Sequence, residues 1–301
     1  MLEVRRLRLL RELSGRGTIA EVAEVLHLSP SSVSQQLSQL EREIGVPLLR
    51  KVGRRLELTP AAEVLVEHTE RVLSQLEEAE SAAIGVSGEV SGTLRIAVFQ
   101  SAAVAFMPRL LAELATRHPR LRVTMSQREP EEGLRETAAH EFDLVIAEQY
   151  PHHAAPRYPA LDRVPLTTDA LRLVVPPGDE WGEIASIEDV RSLPWVMEPY
   201  GAASRHWAEQ LCRQAGFEPD VRFETDDLEA HIALIESGSA IAVVPELMLV
   251  RRRPVARLIE LPEAPRRSVF TSVRRSSVDT PAIEACRSVL AEVFPRTVEL
   301  T

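Results

Sequence analysis

Residues 18–49 read TIAEVAEVLHLSPSSVSQQLSQLEREIGVPLL, and two short amphipathic helices with a tight polar turn between them are written there. In the first, Ile19, Val22, Ala23 and Leu26 recur at helical spacing, with Glu21 and Glu24 outward. Thr18 is placed to cap it, and Glu21 three residues on completes a capping-box pattern. The second starts at Ser29-Pro30, a cap residue followed by proline at the first helical position. It buries Val33, Leu37, Leu40 and Ile44, and its opposite face reads Ser31, Ser32, Ser34, Gln35, Ser38 and Gln39. Solvated helix faces are usually rich in Lys, Glu and Arg, and serine is a mediocre helix former. A row of Ser and Gln is what major-groove reading requires, because Gln pairs bidentately with adenine and small side chains let the helix enter. Alone, the hairpin fits a generic pair of packed helices equally well.

The next residues separate those readings. Residues 48–59, LLRKVGRRLELT, read as two short strands around a basic turn in which Gly53 supplies a positive φ. Arg50, Lys51, Arg54 and Arg55 then form a cationic wing for phosphates or the minor groove. The DNA-contacting set is therefore Thr18, Ser29, Pro30, Ser31, Ser32, Ser34, Gln35, Gln36 and Gln39, with the wing cations beside them.

Residues 22–62, VAEVLHLSPSSVSQQLSQLEREIGVPLLRKVGRRLELTPAA, resemble the N-terminal signature of LysR-type transcriptional regulators. The resemblance rests on the Ser-x-x-Val-Ser-x-x-Leu opening of the second helix, Leu40-Glu41, Gly45-Val46-Pro47-Leu48-Leu49 and Leu58-Thr59-Pro60. Pro30 stands where the family often has Gln and Gln35 where it often has Arg, so the usual operator preference does not transfer.

A formal charge of −10 argues at first against nucleic acid, but the charge is unevenly placed. Residues 1–60 hold 10 Lys+Arg against 7 Glu, a charge of +3, and the remainder holds 25 against 38, a charge of −13. No window approaches a membrane span, and MLEVRRLRLLRELS lacks a secretion-signal core. Its Val4, Leu7, Leu10 and Leu13 mark a first amphipathic helix instead. Cys212 and Cys286 offer neither metal spacing nor a disulfide framework, which suits the cytoplasm.

After Thr59-Pro60 a long helix runs from about Ala61 to Ala83. Ala62, Thr69, Leu76 and Ala83 fall on one heptad position and Leu65, Val72 and Ala79 on its partner. Leu65, Thr69, Val72, Leu76 and Ala79 are read as a dimer seam, against the alternative of packing within the helix's own domain. The LysR-type linker helix, which pairs two protomers, agrees. A Gly/Ser-rich linker over 85–92 closes this part.

Strands and helices then alternate: strand 93–99, helix 103–118, strand 121–126, helix 131–140, strand 143–147, a Pro-rich loop over 150–165 and a second similar set. The fold expected is α/β, with a winged helix-turn-helix over 1–60 and a linker helix and hinge over 61–92. The resemblance implies a two-lobed, periplasmic-binding-protein-like effector domain over 93–301. Lobe I takes about 93–165 and 268–301, and lobe II about 166–267.

Ligands of open α/β sheets sit beyond the carboxyl ends of strands, near helix N-termini. Those places are Gln100-Ser101-Ala102, Arg128-Glu129 and Glu148 in the first lobe, and Glu198-Pro199-Tyr200, Thr225-Asp226-Asp227 and Val244-Pro245 in the second. The resemblance carries effector contacts onto the Ser101 turn, the Tyr200 segment, Thr225 and the Pro245 loop. Ser101 reads either as a carboxylate-binding hydroxyl or as a plain helix cap. Glu129, Glu148 and Glu198 read either as solvated or as facing the cleft, where they would demand a cationic group on the ligand.

His152-His153 has no third ligand at metal spacing, and no nucleophile elbow, P-loop or dinucleotide fingerprint occurs. No catalytic residue, metal or cofactor is therefore expected. The partners expected are double-stranded DNA, a small effector such as an amino acid or carboxylate, a second copy or a tetramer, and RNA polymerase if the protein activates. A cytoplasmic solute receptor, or an α/β enzyme with an accessory helical domain, is the alternative.

Overall fold

Proline at the first helical position and glycine just past the last bracket the helix that organises the N-terminal unit. The computed structural model describes residues 2–26, 28–52, 55–87, 89–178, 181–250 and 254–294. The chain forms two compact units, 1–87 and 88–301.

The first unit runs α1 (Val4–Arg16), α2 (Ile19–Val25), α3 (Pro30–Ile44), β1 (Leu49–Val52), β2 (Arg55–Leu58) and α4 (Pro60–Ser87). The caps form as read. Thr18 Oγ1 accepts from the Glu21 N–H at 3.3 Å, and Ser29 Oγ accepts from the Ser32 N–H at 3.1 Å. Gly45 ends α3 at φ 80°, a conformation that penalises any residue with a Cβ. Leu10, Val22, Val33, Leu37, Leu40 and Leu48 meet in one core, each such side chain contributing about 1.5–3 kcal/mol. Two motif residues prove structural: Glu41 Oε1 accepts the Leu48 and Leu49 N–H groups at 2.8 and 3.1 Å, fixing wing to helix. Thr59 Oγ1 donates to Pro47 O and accepts from the Ala62 N–H, which starts α4.

The helix α4 is longer than the periodicity indicated, running through the Gly85-Val86-Ser87 read as linker. Its first half packs on α1. Ala62 and Thr69 are fully buried there and Leu65 lies against the unit's own core, so these positions are occupied within the chain. Val72 and Leu76 stay 42% and 49% exposed.

The second unit runs β3 (Gly92–Val98), α5 (Gln100–Ala105), α6 (Met107–Arg117), β4 (Leu121–Gln127), α7 (Pro130–Ala138), β5 (Leu144–Gln149) and β6 (Val164–Val175). It continues with β7 (Pro194–Met197), α8 (Ala203–Gln214), β8 (Asp220–Glu224), α9 (Leu228–Glu236), β9 (Ala242–Pro245), β10 (Arg257–Glu260), β11 (Arg266–Val273) and α10 (Pro281–Val293). β3 lies parallel between β4 and β5, and β5 pairs antiparallel with β11. The long β6 joins two lobes. Its first half pairs with β11, and its second half with β9 and β10. β7 and β8 form a parallel pair tied to the sheet through the Val196 N–H donating to Ile241 O. One core lies under α6 and α10, another around Trp195, Trp207 and Ile241.

Candidate nucleic-acid interface and candidate ligand cavity

Because Val33, Leu37 and Leu40 face inward, α3 turns Ser31, Ser34 and Gln35 fully outward. Its three glutamines differ. Gln36 Oε1 accepts from Arg6 Nε at 2.9 Å, and Gln39 is bracketed by Arg42 and Glu43. Gln35 is exposed, and no described residue bonds to it. Ser31 leans on Ser29 at 2.9 Å, while Ser34 is as unengaged as Gln35. In the wing, β1 and β2 pair so that Arg50 opposes Glu57, which its guanidinium meets at 3.0 Å. Lys51 is exposed without a partner among the described residues. Gly53 and Arg54 lie outside those residues, and of Arg55 the structure describes only the strand position.

In the second unit, β5, β7 and the segments before α7, α8 and α9 converge on a cavity of about 290 Å³. Its wall carries Glu129, Glu131, Glu148, Glu198 and Asp226, together with Tyr200, His153 and the start of α8. Behind it stands Arg267 on β11, 1% exposed. Its guanidinium meets Asp169 at 2.7 Å, pairs with Glu148 and donates to Ser101 Oγ at 2.5 Å. Burial works against the Arg267 charge, but Glu148 and Asp169 more than offset it and hold it protonated. One guanidinium thus serves two buried carboxylates, and Asp169 also receives the Leu247 N–H. Glu148 is the less well served: loss of water pushes its carboxyl up to about 8 against the pull of Arg267. Burial likewise pushes Glu198 up to about 7, although it accepts a hydrogen bond from the Ser204 hydroxyl. Glu129 at the rim is raised by burial and by Asp226 across the cavity.

Of the residues the sequence nominated, Glu148 and Tyr200 line this cavity, and so do Glu129 and Glu198, read beforehand as either solvated or facing the cleft. Ser101 does not: it is fully buried, neither a ligand-facing hydroxyl nor the cap of α5, because Phe99 holds that position. Ala102 is core. Gln100 instead ties the lobes together, donating to Asp227 Oδ1 at 2.7 Å and accepting the Leu228 N–H at 2.9 Å. Arg128 turns to Glu136, Thr225 Oγ1 accepts the Asp227 N–H, and Pro245 is buried at the end of β9. Asp226, counted with Thr225 and Asp227 at a strand end, does line the cavity, whereas Arg267 was not foreseen. The Arg266-Arg267 pair at the head of the mostly buried strand β11 was the available sign of a buried ion pair. Both cysteines are buried thiols pushed up to about 12 by that burial. Among the described residues no group of His, Cys, Asp or Glu is placed to hold a metal, and no helix is long and apolar enough to cross a membrane.

A capped recognition helix with a wing, followed by a two-lobed α/β unit around a cavity, defines a DNA-binding regulator with a ligand-binding domain. Residues 4–63 match the model of the bacterial regulatory helix-turn-helix protein, lysR family, and residues 87–295 match the LysR substrate binding domain. The chain belongs to the LysR family of transcriptional regulators, which are not enzymes. It is 25% identical over 283 residues to the HTH-type transcriptional regulator GltR of Bacillus subtilis (strain 168), covering 92% of each chain. A full-length OxyR variant from Pseudomonas aeruginosa shares the fold at a TM-score of 0.71 and 18% identity, over 96% of this chain and 95% of that one. Full-length CbnR complexed with its target DNA shares it at 0.56 and 22%, over 97% and 99%.

Proposed function

We propose that this regulator reads an inverted-repeat operator as a dimer, with Ser34 and Gln35 of α3 reading bases and the wing cations holding phosphate. The observation that carries the reading is that Gln35, alone among the glutamines of α3, is both exposed and unengaged. Ser31 and Ser32, at the capped start of the helix, approach phosphate or base edges, and Gln36 and Gln39 orient Arg6 and Arg42. Val72, Leu76, Ala79 and Ala83 continue at four-three-four spacing along exposed α4 and form the dimer seam. A two-fold dimer presents two recognition helices to two half-sites. The effector occupies the cavity between the lobes and biases their arrangement.

Gel shifts on the intergenic DNA beside the gene test the reading. Gln35→Ala should cost about 1–3 kcal/mol on the cognate site and relax preference at one base position. Gln36→Ala should leave base preference intact. Equal effects of the two would move base reading off Gln35. Leu76→Asp should give monomers in sedimentation, with weak binding to a single half-site. An unchanged dimer would place the seam elsewhere.

A further inference from the structure

We infer that the effector is a small organic cation, an amine or guanidinium compound, held between carboxylates of the two lobes; this rests on the cavity being the effector site. Glu129 and Glu148 come from the first lobe, Glu198 and Asp226 from the second, and among the described residues no Lys or Arg lines the space they enclose. The guanidinium of Arg267 is sealed behind the wall and saturated by Asp169 and Glu148. Arg205 pairs with Glu209 and Glu224 and stacks on Tyr200, its guanidinium 3.7 Å from the ring centroid, and Arg163 is engaged by Gln149 Oε1 at 2.9 Å and by the Ala155 and Pro156 carbonyls. The start of α8 is a natural place for a ligand carboxylate. There Glu198 takes the Ser204 hydroxyl, so a carboxylate of the protein already stands beside the start of α8 and would repel a second anion.

Two further observations turn the acidity toward a ligand. The Glu148 side chain is nine-tenths buried and shares its one cation with Asp169, so once Glu148 ionises the cluster of Arg267, Glu148 and Asp169 is left one positive charge short at the cavity wall, which a cationic ligand would supply. Between these carboxylates the wall mixes Pro130, Ala155, Pro199 and Ala202 with Glu131, Gln149 and the titratable His153, and its apolar part matches an organic body rather than a bare ion. No described cluster is arranged for a metal. Drawing the lobes together brings Glu129 and Asp226 into mutual repulsion, which a cation between them cancels. Such a ligand therefore interacts differently with open and closed arrangements, as an effector must.

The test uses the full chain, thermal shift and calorimetry, with butylamine, 1,4-diaminobutane and agmatine set against butanol and succinate. A saturable, stabilising interaction is expected with a cation and with neither control. Affinity should rise from about pH 6 to about pH 8.5 as the wall carboxyls ionise while the amine stays charged. Glu198→Gln and the rim change Asp226→Asn should each weaken the cation about tenfold to a hundredfold. Glu198→Gln should also reduce the pH dependence, leaving the part that Glu148 carries at higher pH, without lowering the ligand-free melting temperature. Ala202→Trp, which fills the cavity, should abolish binding of any ligand seated there. Succinate binding that Ala202→Trp abolishes and Glu198→Gln preserves overturns the cation while keeping the site. A ligand whose binding survives Ala202→Trp overturns the site reading itself. No saturable shift with any of the three cations overturns the inference as well.

Discussion

The outward face of α3 and the wall of the cavity are built in opposite ways. The face comes from a single run, residues 31–39, carries no charge and keeps its water until DNA replaces it. The wall gathers Glu129, Glu148, Glu198 and Asp226 from four separate segments, and its charges have already lost much of their water. The unengaged side chains of the face, Ser34 and Gln35, act one by one, so changing either should alter binding and little else. Those at the wall are coupled through Arg267 and through each other, so changing one should be felt by folding as well as by ligand.

The largest effect that would break this contrast belongs to Arg267. Arg267→Gln leaves Glu148 and Asp169 buried without their shared cation, a change of the kind that costs about 3–5 kcal/mol. All the tryptophans, Trp181, Trp195 and Trp207, lie in residues 88–301, so denaturant unfolding followed by their fluorescence reports this unit selectively. Adding Glu148→Gln should recover part of the loss. A single variant within about 1 kcal/mol of the parent would mean that the cluster is not coupled to folding.

The same contrast decides how much could be read in advance. Local chemistry was legible: Thr18, Ser29-Pro30 and Gly45 act within three residues of where they stand, and each did what its type implies. Elements bent by proline were less so. Residues 103–118 read as one helix, but Pro108 lacks an N–H and cannot sit beyond the first turn, so the chain breaks at Phe106 into α5 and α6. Pro165 made the start of β6 read as loop, yet the strand includes it at an irregularity where β6 and β11 shift register. β10 offers only Leu258 and Ile259 as apolar signal. The cavity was legible in parts, because strand ends can be counted but pairing between them cannot. Whether Glu198 faced solvent or the cleft depended on β7 lying beside β8 and β9, a contact between residues far apart in the chain.

A second, smaller effect sharpens the comparison through pH. The Glu198 carboxyl sits at about 7 in the folded chain against an ordinary 4.5, and Glu148 at about 8. A raised carboxyl binds its proton more tightly when folded. The stability it contributes is full below the unfolded value and is lost as pH rises through the folded one. Tryptophan-detected stability of the ligand-free protein should therefore fall, on the order of 1–3 kcal/mol, between about pH 5 and pH 8. Glu198→Gln should flatten much of that slope and be the more stable protein at the upper end. A parent profile flat across this window would mean that water reaches the wall carboxylates more freely than their burial implies.

The smallest effects lie in the wing, where charges are exposed and screened. Lys51 has no partner among the described residues, whereas Arg50 is held across the strands by Glu57, with side chains 61% and 43% exposed. An exposed pair of this kind is worth no more than about 1 kcal/mol, so phosphate can draw Arg50 away at little cost. Lys51→Ala should weaken binding to every DNA sequence alike and lower the slope of log affinity against log salt by about one. Glu57→Ala should act in the opposite direction: with the carboxylate gone, Arg50 meets phosphate without competition and binding tightens slightly at low salt. Neither change should alter base preference or tryptophan-detected stability, because neither touches α3 or the second unit's core. Titrations at several salt concentrations separate these outcomes. If Lys51→Ala changed preference at one base pair while leaving the salt slope intact, the wing would be reading sequence, and the division between an uncharged reading helix and a charged anchoring wing would fail.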